Sequence, residues 1–567
     1  MENKHPLPRG KSTRLNTINS FFDHYGAVYT VSVVNDQDQL ITNWCNEIVR
    51  ITKLLKFPLN EVSYQIYSNG IRLAIACPLD LIDCACDLLD LSWESLDNYC
   101  LKGEFYSDKQ ISDSLIPSVT EQAKPILRKL YAIAKERGLN LFFDENFVYI
   151  GSGKFQYRCE LSKLDIDVIP WDKIDNIPAV TVTGTNGKTT TVRLTAFIAR
   201  NSGLNVGYSS TDGIVINDQT IEEGDLSGPY GAQQILIQPD LDVAVLESAR
   251  GGISRRGISA TNLNGATVTN ISNDHLGLDG VDTLEDILRI KSLVFNALSP
   301  TGYAVVNLDD EQIFNHQNDI DVQNMIFISQ NLHDHEISKI ISNAQYACYY
   351  VDGDFYWKDP QQKIKITSAN LVPITSNGLA KHNIENILNA ISLSYCLGIN
   401  FEQISKALSV FGLDPKNNLG RANIFEINQG KVIVDFAHNV AGFNALINLA
   451  RGLVKNSGRI ILVFGLTGDR EYMIEDVCKF VVDNRLDQIV IRDTEEYLRG
   501  ANPGQLPKAI FEGLVKFGQS LDTILSLKNE METFNYTLQN IKPGDVFILC
   551  IQENMAKVVE KLEQLSK

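Results

Sequence analysis

Residues 180–190 read VTVTGTNGKTT: a run of β-branched residues, a glycine-rich turn, and the opening of a helix predicted over 190–201. A strand that passes through such a turn straight into a helix restricts the chain to architectures in which helices cover a sheet. The turn also dictates a chemistry. Successive backbone N–H groups of Gly184, Thr185, Asn186 and Gly187, the positive end of the helix and the Lys188 ammonium together form a cradle for phosphate. Thr189 follows the lysine with a hydroxyl that suits Mg2+, and Thr190 extends the helix start. The general pattern G-x-x-x-x-G-K-[ST] is not fully met, because Val182 stands where it requires glycine. A nucleotide-binding turn is the reading, and a chance glycine turn is its alternative.

The surrounding region favours the nucleotide-binding turn. From 177 to 419, strands predicted at 179–183, 243–247, 266–271 and 303–307 alternate with helical segments such as 283–298, the signature of a parallel sheet covered by helices. Ligands of such sheets sit beyond the carboxyl ends of the strands. Glu247 closes one strand, Asn270 another with Asp274 and His275 just beyond, and Asn307 a third. A hard cation bridging nucleotide phosphates wants carboxylate oxygen, and imidazole can add to it, so Glu247 and His275 are the metal-ligand candidates. Lys291 falls on the apolar stripe of its predicted helix with Leu284, Leu288, Phe295 and Leu298. A lysine there is costly unless it meets an anion, a ligand or the site; the plain alternative is a packed stem with the ammonium in solvent.

The flanking regions read differently. Up to 176 the pattern is mixed α/β, with strands at 27–34, 62–67 and 71–77, a helix over 120–137, and no recognisable chemistry. Its GSGK at 151–154 lacks a following Ser/Thr and an apolar helix, and is read as a hairpin or turn. From 420 to 567 a second βα series has strands at 432–435, 460–464, 488–491 and 546–551. The expected fold is therefore α/β in three domains: a mixed N-terminal domain (1–176), a central phosphate-loop parallel-sheet ATPase domain (177–419) and a C-terminal Rossmann-like domain (420–567). A length of 567 residues agrees with that count at ~150 residues per domain.

Composition narrows the partners. With 69 Asp+Glu against 51 Lys+Arg the formal charge is −18, which disfavours nucleic acid and anionic membranes as partners. No secretory signal opens the chain and no apolar stretch approaches the ~18 residues of a spanning helix, so a soluble, cytoplasmic protein is expected. Cys77, Cys84, Cys86 and Cys100 cluster without the pairing of zinc sites and read as buried free thiols.

Taken in order, TGTNGKTT, VLESARGGISRRG (245–257), TNISNDHLGL (269–278), GR (420–421), DFAHN (435–439) and GDR (468–470) resemble the Mur ligase superfamily. SSTDG (209–213), EEGDLSGP (222–229) and LRGANPGQ (498–505) look most like the Mur-ligase-type part of cyanophycin synthetases. The resemblance covers 177 to the end. The residues before it are too few for the ATP-grasp module that cyanophycin synthetases also carry, so one ligation is expected rather than an alternating pair.

The resemblance implies roles. Gly187, Lys188 and Thr189 would hold ATP phosphates and one Mg2+, and Glu247 with His275 a second. Lys291 matches a position that many Mur ligases carry as a carbamylated lysine. Asn383 and Asn386 match nucleotide-side asparagines, Arg421 a γ-phosphate contact, and Asp435 a ribose or hinge residue. Substrate-side candidates are Thr211, Asp212, Asp225, Ser248, Arg250, Arg255, Arg256 and His438, with Arg255–Arg256 as a clamp for carboxylates. The implied activity is ATP-dependent amide formation between a small-molecule or peptide carboxylate and an amino acid, an Asp-type acceptor and an Arg-type amine by analogy, in a homo-oligomer. A folylpolyglutamate- or polyglutamate-type ligase and a silent nucleotide-binding regulator stand as alternatives.

Overall fold

The structure, a computed structural model, describes residues 7–32, 36–273, 276–341, 345–455 and 457–566. The chain packs into two compact units, Met1–Ile328 with Ile341–Ala347 and Ser392–Ile399, and Ser329–Ile340 with Cys348–Ile391 and Asn400–Lys567.

The first unit opens with an antiparallel sheet of β1 (Lys11–Leu15), β2 (Gly26–Ser32), β3 (Glu61–Tyr67) and β4 (Gly70–Ala76), in the order β1-β2-β4-β3. β4 (GIRLAIA) is buried along its whole length because both faces are covered. One face packs on α1 (Gln37–Leu55) and α2 (Ile82–Lys102), while Leu15, Phe22, Val28, Ala74 and Ala76 pack together on the other. The predicted helix over 120–137 is two helices, α3 (Asp108–Gln122) and α4 (Pro125–Glu136). Pro125 explains the break: it disfavours helical backbone at the residue before it and starts the next helix well. A small sheet of β5 (Leu141–Phe143), β6 (Phe147–Ile150) and β7 (Tyr157–Glu160) comes next, and 151–154 is a turn, with Lys154 paired to Asp242 at 2.7 Å.

The central sheet is built from β8 (Ala179–Thr183), β9 (Val206–Ser210), β10 (Gly213–Ile216), β11 (Gln219–Glu223), β12 (Val243–Glu247), β13 (Leu263–Val268), β14 (Leu298–Asn307) and β15 (Asn324–Ser329), in the order β11-β10-β9-β12-β8-β13-β14-β15. It is parallel except at the β9-β10-β11 edge, where both pairings are antiparallel. Its helices are α5 (Lys188–Asn201), α6 (Pro229–Leu236), α7 (Arg250–Arg256), α8 (Leu284–Ser292) and α9 (Glu311–Asn315). α8 stops at Ser292, short of the predicted 298: Leu293–Ala297 tightens into a 3-10 helix, and Leu298 pairs with Leu263 and already belongs to β14. β13 ends at Val268 rather than 271, since the next residues leave the sheet to wrap the phosphate loop.

The second unit contains α10 (Asp334–Ile340), the antiparallel pair β17 (Asp354–Lys358) and β18 (Lys363–Ser368), the start of α11 (Lys381–Cys396), and α12 (Phe401–Leu408); β16 (Tyr346–Val351) precedes the pair. Its second sheet runs β19-β20-β24-β21-β22-β23, from β19 (Asn423–Ile427), β20 (Gly430–Asp435), β21 (Ile460–Phe464), β22 (Gln488–Arg492), β23 (Ile524–Leu527) and β24 (Val546–Cys550). All neighbours are parallel except β19–β20, as expected of a Rossmann-like series with an added edge strand. α13 (Val440–Leu453), α14 (Ile474–Asp483) and α15 (Gln505–Lys516) cover one face, and α16 (Glu530–Asn540) and α17 (Met555–Leu565) the other.

Among the described residues no helix is long and apolar enough to cross a membrane. None of the clustered cysteines is in a disulfide, but only Cys77 and Cys84 are buried; Cys86 and Cys100 are half-buried, a departure from the uniformly buried set expected.

Candidate active site

The phosphate loop connects a strand buried on both faces to α5. Gly187 caps the helix at φ +84, and Gly184 sits at φ +142, where a Cβ would lie 1.8 Å from Thr269 Oγ1. The loop is interlocked with the segment after β13. Thr185 N donates to Asn270 O at 2.8 Å, Asn186 N to Asn270 Oδ1 at 2.9 Å, and Thr269 Oγ1 to Asn186 O at 2.6 Å. Ser272 N donates to Thr185 Oγ1 at 3.0 Å. Asn307 donates to Thr269 O at 2.7 Å, and Asp310 accepts from Ile271 N at 2.7 Å. Burial pushes the Asp310 carboxyl up, opposed by hydrogen bonds from the backbone amides of Ile271, Ile313 and Gln312. Asn270 and Asn307 thus brace the loop, and Thr269, Ser272 and Asp310 are bracing residues that sequence reasoning missed. Short polar residues just past a strand end were their only signal.

Lys188 Nζ donates to Thr185 O at 2.9 Å, closing the turn over itself. Thr189 and Thr190 are buried. Thr189 Oγ1 donates to Glu247 Oε2 at 3.0 Å and lies 3.3 Å from Thr211 Oγ1, in the β9–β10 turn. Glu247 is fully buried. A hydroxyl and a carboxylate in one buried corner beside a phosphate loop are the hard oxygen donors that Mg2+ takes, so the residues present fit that ion. Asp274 and His275 lie outside the described residues. Lys291 is 3% exposed and donates from Nζ to Gly184 O at 2.6 Å, so its ammonium turns to the loop rather than to solvent.

The substrate-side candidates of this unit scatter in role. Asp212 pairs with Arg193 at 2.7 Å, and Asp225 accepts from Ser227 Oγ at 2.5 Å in a local turn. Ser248 Oγ lies 2.8 Å from Thr181 Oγ1. Arg250 donates to Leu278 O at 3.2 Å and stands 3.9 Å from Asp279 Oδ2, while Arg255 stands 3.7 Å from the same oxygen. Arg256 differs from the expected paired clamp: its carbonyl accepts from Asn16, and it is Arg250, not Arg256, that shares Asp279 with Arg255. Arg255 and Arg256 are adjacent at the end of α7, and adjacent helical residues do not face each other.

In the second unit, Asn383 and Asn386 lie one turn apart in α11, both buried. Asn383 donates to Ile374 O at 2.8 Å, and Asn386 to Asn383 Oδ1 at 3.1 Å. Asp435 ends β20 and accepts from Ala422 N and Ala437 N, each at 2.7 Å, which fixes the turn carrying Arg421. Burial pushes the Asp435 carboxyl up, and the Arg421 charge and those amides oppose the rise. The Arg421 guanidinium lies over the Phe436 ring at 5.1 Å. His438 is close by, with Nδ1 2.8 Å from Phe436 O and its own carbonyl accepting from Arg470 at 3.4 Å.

Comparison with known proteins places these segments. A model of the Mur ligase middle domain matches residues 182–394, and one of the Mur ligase glutamate ligase domain matches 420–550. A cyanophycin synthetase of Crocosphaera subtropica is 33% identical over 383 residues, 67% of this chain and 43% of that protein, so the chain spans less than half the length of that relative. A UDP-N-acetylmuramyl-tripeptide synthetase of Borreliella burgdorferi is 23% identical over 506 residues, 85% of this chain and 92% of that protein. A bifunctional folylpolyglutamate synthase/dihydrofolate synthase of Yersinia pestis, solved with AMPPNP and a Mn ion, gives a TM-score of 0.50 at 21% identity over 68% of this chain and 89% of that one, a likeness of fold.

Proposed function

The chain belongs to the Mur ligase family, and from that premise we propose that it is an ATP-dependent ligase that activates a carboxylate as an acyl phosphate and joins it to an amine. The observation that carries this reading is the buried hydrogen bond from Thr189 to Glu247 at 3.0 Å, beside Lys188. In it the chain sets hard oxygen donors against a phosphate cradle within an acidic molecule.

In this reading the loop amides from Gly184 to Gly187 and the Lys188 ammonium hold the ATP phosphates and spread the charge that grows as a substrate carboxylate oxygen attacks the γ-phosphorus and ADP departs. Thr189, Glu247 and His275 would hold Mg2+, which supplies neutralisation of phosphate charge when bound. Lys291 supports the loop from behind through Gly184, and Arg421 meets the γ-phosphate. Asn383 and Asn386 serve the nucleotide side, and Asp435 orders the turn of Arg421. The amine nitrogen then attacks the acyl carbon, phosphate leaves, and an amide remains. Thr211, Asp212, Asp225, Ser248, Arg250, Arg255, Arg256 and His438 serve the substrates.

The domains of this enzyme are 1–176, 177–419 and 420–567. The likeness to cyanophycin synthetase supports an Asp-type acceptor and an Arg-type amine; the enzyme is read as a cytoplasmic homo-oligomer. ADP release measured against a panel of amino acids and short Asp-containing peptides tests the proposal. Amine-dependent turnover is expected; none with any acceptor would leave a nucleotide-binding regulator as the reading, and turnover with glutamate acceptors alone a polyglutamate-type ligase.

A further inference from the structure

The β3–β4 hairpin of the N-terminal sheet reaches segments that border the candidate site. Gln65 donates to Gly280 O at 2.7 Å. In the turn, Ser68 donates to Asp282 from its N–H at 2.8 Å and its hydroxyl at 2.6 Å, and Asn69 donates to Gly277 O at 2.6 Å. Arg72, 1% exposed on β4, donates to Asp279 O at 3.1 Å, to Gln65 Oε1 at 3.3 Å and to Ser254 O, near the end of α7, at 2.6 Å. Ser254 Oγ donates to the same Asp279 carbonyl at 2.8 Å, which ties α7 to the 277–282 segment.

The receiving segment is shaped for these contacts. Gly280 (φ +80) would carry a Cβ 2.3 Å from the Gln65 amide oxygen, and Gly277 (φ +77) one 2.9 Å from the Asn69 nitrogen. The guanidinium is held by carbonyls and by the Phe21 ring at 4.8 Å, and it faces the negative end of α7. Burial draws its pKa down to about 10, so it stays charged at neutral pH. Apolar packing would join the two parts with less desolvation; a guanidinium fork fixes direction as well as distance. What it fixes is the turn bearing Asp279, the carboxylate between Arg250 and Arg255.

We propose that Arg72 is a positioning residue for the ligation: with Gln65, Ser68 and Asn69 it holds α7 and the 277–282 segment in the register that presents Arg250 and Arg255 to the carboxylate acceptor. This rests on the ligase reading. The test compares full-length Arg72→Met, Arg72→Lys and Ser68→Ala with wild type in steady-state kinetics and hydrogen exchange. In Arg72→Met the acceptor KM rises about tenfold while the KM for ATP stays within about twofold, and residues 250–258 and 277–282 exchange faster while 180–190 do not. Arg72→Lys lies between, and Ser68→Ala shifts the acceptor KM about threefold. An unchanged acceptor KM, or an ATP KM that rises in step with it, overturns the proposal. If wild type releases no ADP with any acceptor, the ligase reading falls, and the exchange data decide the clamp: acceleration confined to the two segments upholds it, and uniform or absent acceleration overturns it. If Arg72→Met does not fold, the other variants are judged by the same criteria.

Discussion

Lys188 and Gly184 share one turn, and their removal should fail in different ways. Lys188→Ala takes away the charge that, in the proposed reaction, stabilises the transferring phosphate, and its side chain is only half-buried, so the fold should persist while ADP release falls by about 10^3-fold or more. Circular dichroism and turnover measured together check this; retained turnover would remove the loop from the mechanism. Gly184→Ala acts through sterics. Its Cβ would stand 1.8 Å from Thr269 Oγ1 with φ at +142, so strand end and loop must separate, at a cost of about 2–3 kcal/mol. A lowered urea midpoint together with lost binding of an ATP analogue is expected, and an unchanged midpoint would contradict it. The phosphate loop was legible in the sequence because its chemistry is contiguous. Lys291 was legible because a charged residue broke an apolar stripe, and its 2.6 Å bond to Gly184 O gives the partner that the stripe required. Asp310, Thr269 and Arg72 were not legible, since each acts on backbone groups brought near only by the fold.

α11 begins at Lys381 with His382 in its first turn, ahead of Asn383 and Asn386. Burial pushes the His382 imidazole down to about 4. The unfolded chain takes up a proton near pH 6.5 that the folded chain refuses until about 4, so folding stability is full above 6.5 and falls as pH drops through that window, by at most about 1.4 kcal/mol per pH unit. Urea midpoints at pH 7, 6 and 5 should fall for wild type more steeply than for His382→Gln, and equal slopes would show that this imidazole is not the group refusing the proton. Element boundaries show the same division between local and distant causes. Strands such as Ile460–Phe464 could be read from their β-branched runs alone. The break at Pro125 was written in the sequence, though periodicity overrode it. The start of β14 was not: only pairing of Leu298 with Leu263, across the sheet, turns that residue into strand.

A chain with a formal charge of −18 has no general affinity for anions, so whatever nucleotide affinity it has must come from one local device. That has a consequence for the molecule's stability. A ligand that binds only the folded form adds RT ln(1 + [L]/Kd), about 2.7 kcal/mol at a hundredfold excess over Kd, which for units of this size raises the unfolding temperature by roughly 5 °C. With an ATP analogue and Mg2+ the wild-type protein should show that shift, and Lys188→Ala should show almost none, because the −18 background offers no second cradle. Thermal unfolding monitored by fluorescence, with the analogue at several concentrations, reads it directly. A shift that persists in Lys188→Ala would mean that phosphate is held elsewhere, and the link from the VTVTGTNGKTT turn to ligation would then break at its first step.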